Sequence, residues 1–342
     1  MFKSASSVLQ SGCRAVIITF TVIIVATIAR CVADDGYDAY AQSYVSIAVD
    51  PTGNRLALVG AKESFGKLFI LNITRKRAAK VPFPTADSQI KLGPSFDRSG
   101  SDLVYDGCSS MADPTHIYRW SSATKTAVQL TSGSTIFDCY PSFSRDGGTV
   151  VFARATWLRP YSMGGNTADH WDIWIMKSDG SGQRRITSGN YRQLDPPYFV
   201  GTTSKVVFGA TYTLEKSNLY LVDTVAKGPP IRLTHDDQSS DPYPSTNGSQ
   251  LAFTTTPING ANCVCLYDLS RHSVLPLPDE YPGRLKFTPQ FMLGDQSIIF
   301  TVGDPSSGQM DIYRQDLASG VMVLIADGSI FNDPLAWRFR AP

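Results

Sequence analysis

Apolar runs of three or four residues recur along the chain, each bounded by Gly, Asn, Asp or Ser. Leu56-Ala57-Leu58-Val59, Val150-Val151-Phe152, Val206-Val207-Phe208 and Ile298-Ile299-Phe300 are the clearest. Runs of this kind between turn residues predict short buried strands. Ahead of or between them stand Pro51-Thr52-Gly53-Asn54, Ser99-Gly100, Asp146-Gly147-Gly148, Asn247-Gly248 and Gly294-Asp295. These predict hairpin turns, because Gly and Asn adopt positive φ cheaply. Asp179-Gly180-Ser181-Gly182 marks a second turn, between third and fourth strands. No long helical period interrupts the pattern.

The strands are organised as a repeat that opens on a Pro-x-Phe-like strand and closes on Leu-Thr or Ile-Thr. The opening position falls at Ile47, Pro94, Pro141, Pro197, Pro244, Pro289 and Pro334, at successive spacings of 47, 47, 56, 47, 45 and 45 residues. A unit of this length cannot bury its apolar face alone, so neighbouring copies must stack. Six repeats run from Ile47 to Asp333, and Pro334–Phe339 is left as a seventh first strand. The predicted fold class is all-β: a six-bladed β-propeller of four-stranded antiparallel blades over residues 44–342. The leftover strand is expected to return near Ile47 and close the ring.

The repeat resembles the TolB-type, WD40-like β-propeller repeat, which also builds the non-catalytic propellers of prolyl-oligopeptidase-like enzymes. The residues that carry the resemblance are Pro141-Ser-Phe-Ser-Arg-Asp-Gly, Asp172-Ile-Trp-Ile-Met-Lys-Ser-Asp-Gly, Arg185-Ile-Thr, Leu219-Tyr-Leu-Val-Asp and Arg232-Leu-Thr. It spans Tyr44 to Phe339. TolB carries an additional N-terminal α/β domain, for which residues 34–43 leave no room. The peptidases need a hydrolase domain with Gly-x-Ser-x-Gly, which does not occur here. The resemblance therefore implies fold rather than activity.

Residues 1–33 contain Lys3, Arg14 and Arg30, no acid, and an apolar run from Ala15 to Ala29. That run is short for a spanning helix of about 20 residues and suits a signal peptide cleaved after Cys31-Val32-Ala33. A signal anchor, with membrane attachment through residues 15–29, is the alternative. Residues 34–43 form a short linker. Both readings predict an extracytoplasmic propeller, periplasmic or secreted, or membrane-anchored with the propeller outside. The whole chain has 31 Lys and Arg against 30 Asp and Glu. Without a basic surplus, no nucleic-acid partner is expected.

Cys108 follows a second strand and Cys139 precedes the next first strand, so a disulfide between adjacent blades is feasible. Cys263 and Cys265 alternate on one strand and share a side, as a buried pair or as half of a metal site. Only four His are present, none paired at short spacing. No metal and no cofactor are expected. Asn72-Ile73-Thr74 and Asn247-Gly248-Ser249 are glycosylation sequons in a eukaryotic secretory pathway.

One repeat departs from the rest. Between the apolar ends of strands two and three the gap is 10–12 residues elsewhere but 21 in repeat three, from Phe152 to Ile173. The inserted loop concentrates Arg154, Trp157, Arg159, Tyr161, Asn166 and His170. Rings beside hydrogen-bonding groups suit a protein or glycan ligand, and these six residues are the predicted ligand site. The alternative is a loop that caps its own blade. Asp138, Asp195, Asp241 and Asp333 recur just before the marker position, as a carboxylate ring over the channel or as pins for turn amides between blades. No catalytic residue is assigned. The expected function is a non-catalytic binding module; a carbohydrate-active lyase or hydrolase at the channel mouth would need Arg154, Arg159, His170, Asp195 and His235 to converge.

Overall fold

The computed structural model describes residues 47–60, 66–75, 77–80, 90–109, 113–160, 166–213, 216–226, 228–236, 238–255, 262–304 and 310–332. Residues 1–33 and 34–43, Tyr161, Asp333 and the leftover strand Pro334–Phe339 lie outside them.

Six antiparallel sheets follow one another along the chain. Blade 1 contains β1 (Ile47–Val49), β2 (Arg55–Val59), β3 (Leu68–Asn72) and β4 (Arg77–Lys80). Blade 2 has β5 (Ile90–Phe96), β6 (Asp102–Cys108), β7 (His116–Ser121) and β8 (Thr126–Gln129). Blade 3 has β9 (Phe137–Phe143), β10 (Thr149–Pro160), β11 (Asn166–Lys177) and β12 (Arg184–Arg185). In blade 4 the first strand is split into β13 (Gln193–Leu194) and β14 (Tyr198–Phe199), before β15 (Lys205–Thr213), β16 (Lys216–Asp223) and β17 (Ile231–Arg232). Blade 5 is β18 (Ser239–Pro244), β19 (Gln250–Thr255), β20 (Cys263–Asp268) and β21 (Ser273–Pro276). Blade 6 is β22 (Leu285–Phe291), β23 (Ser297–Gly303), β24 (Met310–Asp316) and β25 (Met322–Ala326), followed by one helical turn, α1 (Ser329–Asn332).

The core lies between blades, in six apolar clusters, one at each seam. Second strands read as continuous apolar runs because both of their faces meet a neighbouring blade. Tyr105, Phe152, Phe208, Phe253 and Phe300 are fully buried there. The seam between blades 6 and 1 joins Ile299, Ile312 and Ile325 to Ile47, Leu56 and Phe69. So the ring closes, with β1 at the inner position of blade 1. Gln290 clasps the same seam: its Nε2 donates to Ile47 O at 2.8 Å, and its Oε1 accepts from Val49 N at 2.9 Å.

The closing Thr of the repeat has a defined task. The hydroxyls of Thr131, Thr187 and Thr234 accept the backbone N–H of Ile117, Ile173 and Leu219 at 2.9–3.0 Å. Each bond ties the chain that leaves a blade to the start of its third strand.

The marker proline belongs to a β-bulge. Register slips between Leu92 and Ser95, Ser240 and Tyr243, and Phe287 and Gln290, with a matching slip in β9. Each bulge contains a left-handed residue, Gly93, Tyr140, Asp241 or Thr288, followed by Pro94, Pro141, Pro242 or Pro289. Proline fits there because the bulge interrupts the ladder and needs no N–H. This corrects the marker in repeat five from Pro244 to Pro242. Asp241-Pro242-Tyr243-Pro244 offers two prolines at strand spacing, and only the bulge distinguishes them.

Candidate functional site

The channel has two mouths. One is formed by the hairpins joining second to third strands and by the starts of the inner strands; those predicted ligand residues that are described lie on this side. The other is formed by the turns joining first to second strands.

At the first mouth, the insertion in repeat three is a β-ribbon rather than an irregular loop. β10 and β11 each have 12 residues and remain paired out to Pro160 and Asn166. Trp157 and Arg159 are strand positions opposite Asp169 and Thr167. Tyr161 lies outside the described residues. His170 lies within β11 with a left-handed φ of 59°, and its half-exposed ring has Nδ1 3.8 Å from Asp169 Oδ1. Trp171 is buried beneath, exchanging backbone hydrogen bonds with Tyr191 at 2.8 and 2.9 Å.

Arg154 is placed differently from the others. It is buried at the seam with blade 2, where Nε and Nη2 meet the two carboxylate oxygens of Asp138 at 2.5 and 2.9 Å. Nη2 also donates to Gln183 Oε1 at 3.0 Å, and the guanidinium stands 4.6 Å from the Trp174 ring centre. A fully engaged, stacked guanidinium of this kind ties the strands of blade 3 to one another.

The Asp residues ahead of the prolines do not form a ring at one level. Asp138, Asp195 and Asp241 stand three, two and one residues before Pro141, Pro197 and Pro242. Asp195 accepts the bulge amide of Asp241 at 3.1 Å, as Asp106 accepts that of Tyr140 at 3.2 Å. These are pins between adjacent blades. Burial, and then repulsion from Asp241, pushes the Asp195 carboxyl up to about 7, opposed by the Asp241 N–H. Asp333 lies outside the described residues. Arg154 is committed to Asp138 within blade 3, Asp195 reaches blade 5, and His235 is exposed at the exit of blade 4. Arg154 and Asp195 therefore do not meet. Among the described residues no three His, Cys, Asp or Glu side chains gather as a metal site.

Cys108 and Cys139, the candidate disulfide pair, are both buried. Cys139 Sγ lies 3.1 Å from Thr115 Oγ1.

The second mouth opens a cavity of about 380 Å³ lined by the inner strands of all six blades. Phe96, Phe143, Phe199 and Tyr243 contribute rings, Ser142 and Ser245 hydroxyls, and Arg98 and Arg145 exposed cations. Tyr198 and Tyr243 pack with ring centres 4.7 Å apart, and burial raises the Tyr243 hydroxyl to about 12, so it stays a neutral donor. Asp50 and Asp97 at this mouth are occupied by their own turns: each accepts two backbone amides, of Asn54 and Arg55 and of Ser101 and Asp102. The Asp-x-x-Gly turns are thus structural. Sequence reasoning missed this site, because its residues are spread over six repeats and only their common strand position relates them.

Solved structures share this architecture. TolB from Acinetobacter baumannii superposes with a TM-score of 0.63 at 17% identity, over 80% of this chain and 63% of that one. The fold is the TolB-type β-propeller. This chain accordingly spans under two thirds of that TolB. An oligogalacturonate lyase solved with manganese is similar over 80% of this chain and 76% of its own, with a TM-score of 0.55 and 13% identity. A chain from a nidogen/laminin complex is similar over 83% and 95%, with a TM-score of 0.60 and 12% identity. No family model matches the sequence, and no curated protein does.

Proposed function

We propose that this TolB-type propeller is an extracytoplasmic, non-catalytic binding module that takes a protein or glycan ligand at a channel mouth. The observation that carries the reading is the cavity at the second mouth. Six strands from six blades converge on it with rings, hydroxyls and two cations. Rigid concave surfaces of mixed apolar and polar lining are where ligands bind. The nidogen/laminin likeness supports an interaction role, and the leader at residues 1–33 supports export. The ribbon bearing Arg159, Trp157 and His170 is the second candidate surface. The lyase likeness makes oligosaccharide cleavage the rival activity.

Peptide and glycan arrays probed with the purified protein test this. Loss of binding in Arg98→Ala/Arg145→Ala, with retention in Trp157→Ala/Tyr161→Ala, assigns the ligand to the second mouth. The reverse assigns it to the ribbon. Turnover of oligogalacturonate with release of an unsaturated product would replace the binding reading by the lyase one.

A further inference from the structure

β20 carries Cys263 and Cys265 on one side of the strand, with their sulfurs 3.5 Å apart. Cys263 is half-buried and Cys265 is buried in the seam between blades 4 and 5. The start of β20 is fixed to blade 6 by Asn262, whose side-chain amide accepts from Lys286 N at 2.7 Å and donates to Lys286 O. The Lys286 ammonium favours the Cys263 thiolate electrostatically, and itself bonds Asp279 Oδ2 at 2.6 Å and Tyr281 O at 2.8 Å. Asp236, held by Ser239 and Thr255, is the carboxylate closest in influence to Cys265.

We propose that Cys263 and Cys265 form a thiol–disulfide exchange site, in which Cys263 captures an external disulfide and Cys265 resolves the product. The Cys263 thiolate attacks one sulfur of the external disulfide, forming a mixed disulfide and expelling one thiolate. Cys265 then gives up its proton, attacks the Cys263 sulfur and expels the second thiolate. Two protein thiols are oxidised and one external disulfide is reduced to two thiols.

The environment divides the two roles. The hydrogen bond from Cys265 draws the Cys263 thiol down to about 7 against the effect of its own burial; Lys286 assists and Asp279 opposes. The same bond, burial and Asp236 push Cys265 upward. At neutral pH the more accessible member, Cys263, supplies the nucleophile, and the buried one keeps its proton until Cys263 is bonded. In an extended strand, Cα atoms two residues apart are separated by about 6.7 Å, near the upper end of the range of about 4.4–6.8 Å for disulfides. A small local bend in β20 is therefore enough to close the bond. This inference is independent of the ligand site.

The full chain is incubated with glutathione disulfide, the remaining thiols are alkylated, and each cysteine is followed by mass spectrometry. The expected wild-type course is glutathione on Cys263, then a Cys263–Cys265 disulfide with both glutathione halves released. Cys265→Ala should hold the mixed disulfide on Cys263, and Cys263→Ala should leave Cys265 reduced. If wild-type Cys263 reacts no faster than buried Cys139, or if the mixed disulfide persists in the wild type as it does in Cys265→Ala, the exchange site is disproved.

Discussion

The carboxylate of Asp195 fills the place that a side chain on Gly209 would take: a Cβ there would stand 2.0 Å from Asp195 Oδ2. Blade 2 uses the opposite arrangement, with Asp106 on the second strand facing Leu92 on the first. Either way one buried carboxylate accepts the bulge amide of the next blade. Gly209→Ala should expel the carboxylate and strand the Asp241 amide, costing about 1–3 kcal/mol in urea denaturation. Asp195→Leu/Gly209→Asp imports the blade 2 arrangement and should recover most of that loss. A Gly209→Ala protein as stable as wild type would refute the pin.

The same carboxyl makes stability depend on pH. Its folded value, about 7, lies above its ordinary 3.8. The folded state therefore holds the proton more tightly, so Asp195 favours folding most below pH 4, and this contribution is lost as pH rises through 7. Asp195→Asn keeps an acceptor for the Asp241 amide without the charge. Its melting temperature should exceed wild type at pH 8, by roughly 2–4 °C for each kcal/mol recovered, and the difference should shrink toward pH 4. An offset that does not change with pH would show that Asp195 is not the titrating group.

Much of this was legible in the sequence, and the gaps have physical causes. The blade count followed from the recurring proline and the closing Thr, because each performs one backbone task per blade: Pro141 in a bulge, Thr187 on the Ile173 amide. Repeat five was misphased because Pro242 and Pro244 share a strand parity. The insertion after Phe152 reads as a loop, since Gly164-Gly165 and its mixed polarity lack the alternation of a strand. Arg154 read as a ligand residue, yet it is committed to Asp138, sixteen positions away on the neighbouring strand. Pairing across strands depends on register, which composition does not reveal.

Gln290 closes the ring at a seam where no repeat signature points to it. Its amide replaces two backbone partners of β1, so Gln290→Leu leaves a buried N–H and C=O unmet. A loss of about 2–4 kcal/mol is expected from two such groups. Hydrogen exchange should accelerate first at Ile47 to Val49 and in β23, before the seams of blades 2 to 5 respond. Uniform acceleration over all six blades would show that the clasp has no special role in closure.

Arg154 separates a structural from a ligand-binding reading of the ribbon base. Its guanidinium is engaged by Asp138, Gln183 and the Trp174 ring, which leaves little of it to offer a ligand. Arg154→Met keeps the packing against Trp174 and removes the charge, leaving the Asp138 carboxylate buried beside the His116 ring, 3.9 Å away, without its guanidinium partner. Removing one partner of a buried pair costs about 3–5 kcal/mol. Pairing it with Asp138→Asn removes the orphaned charge, so the double variant should be more stable than Arg154→Met alone. If Arg154→Met instead melts with the wild type and loses only ligand, the residue belongs to the binding surface, and the seam between blades 2 and 3 is held by Val104, Phe143 and Phe152 without it.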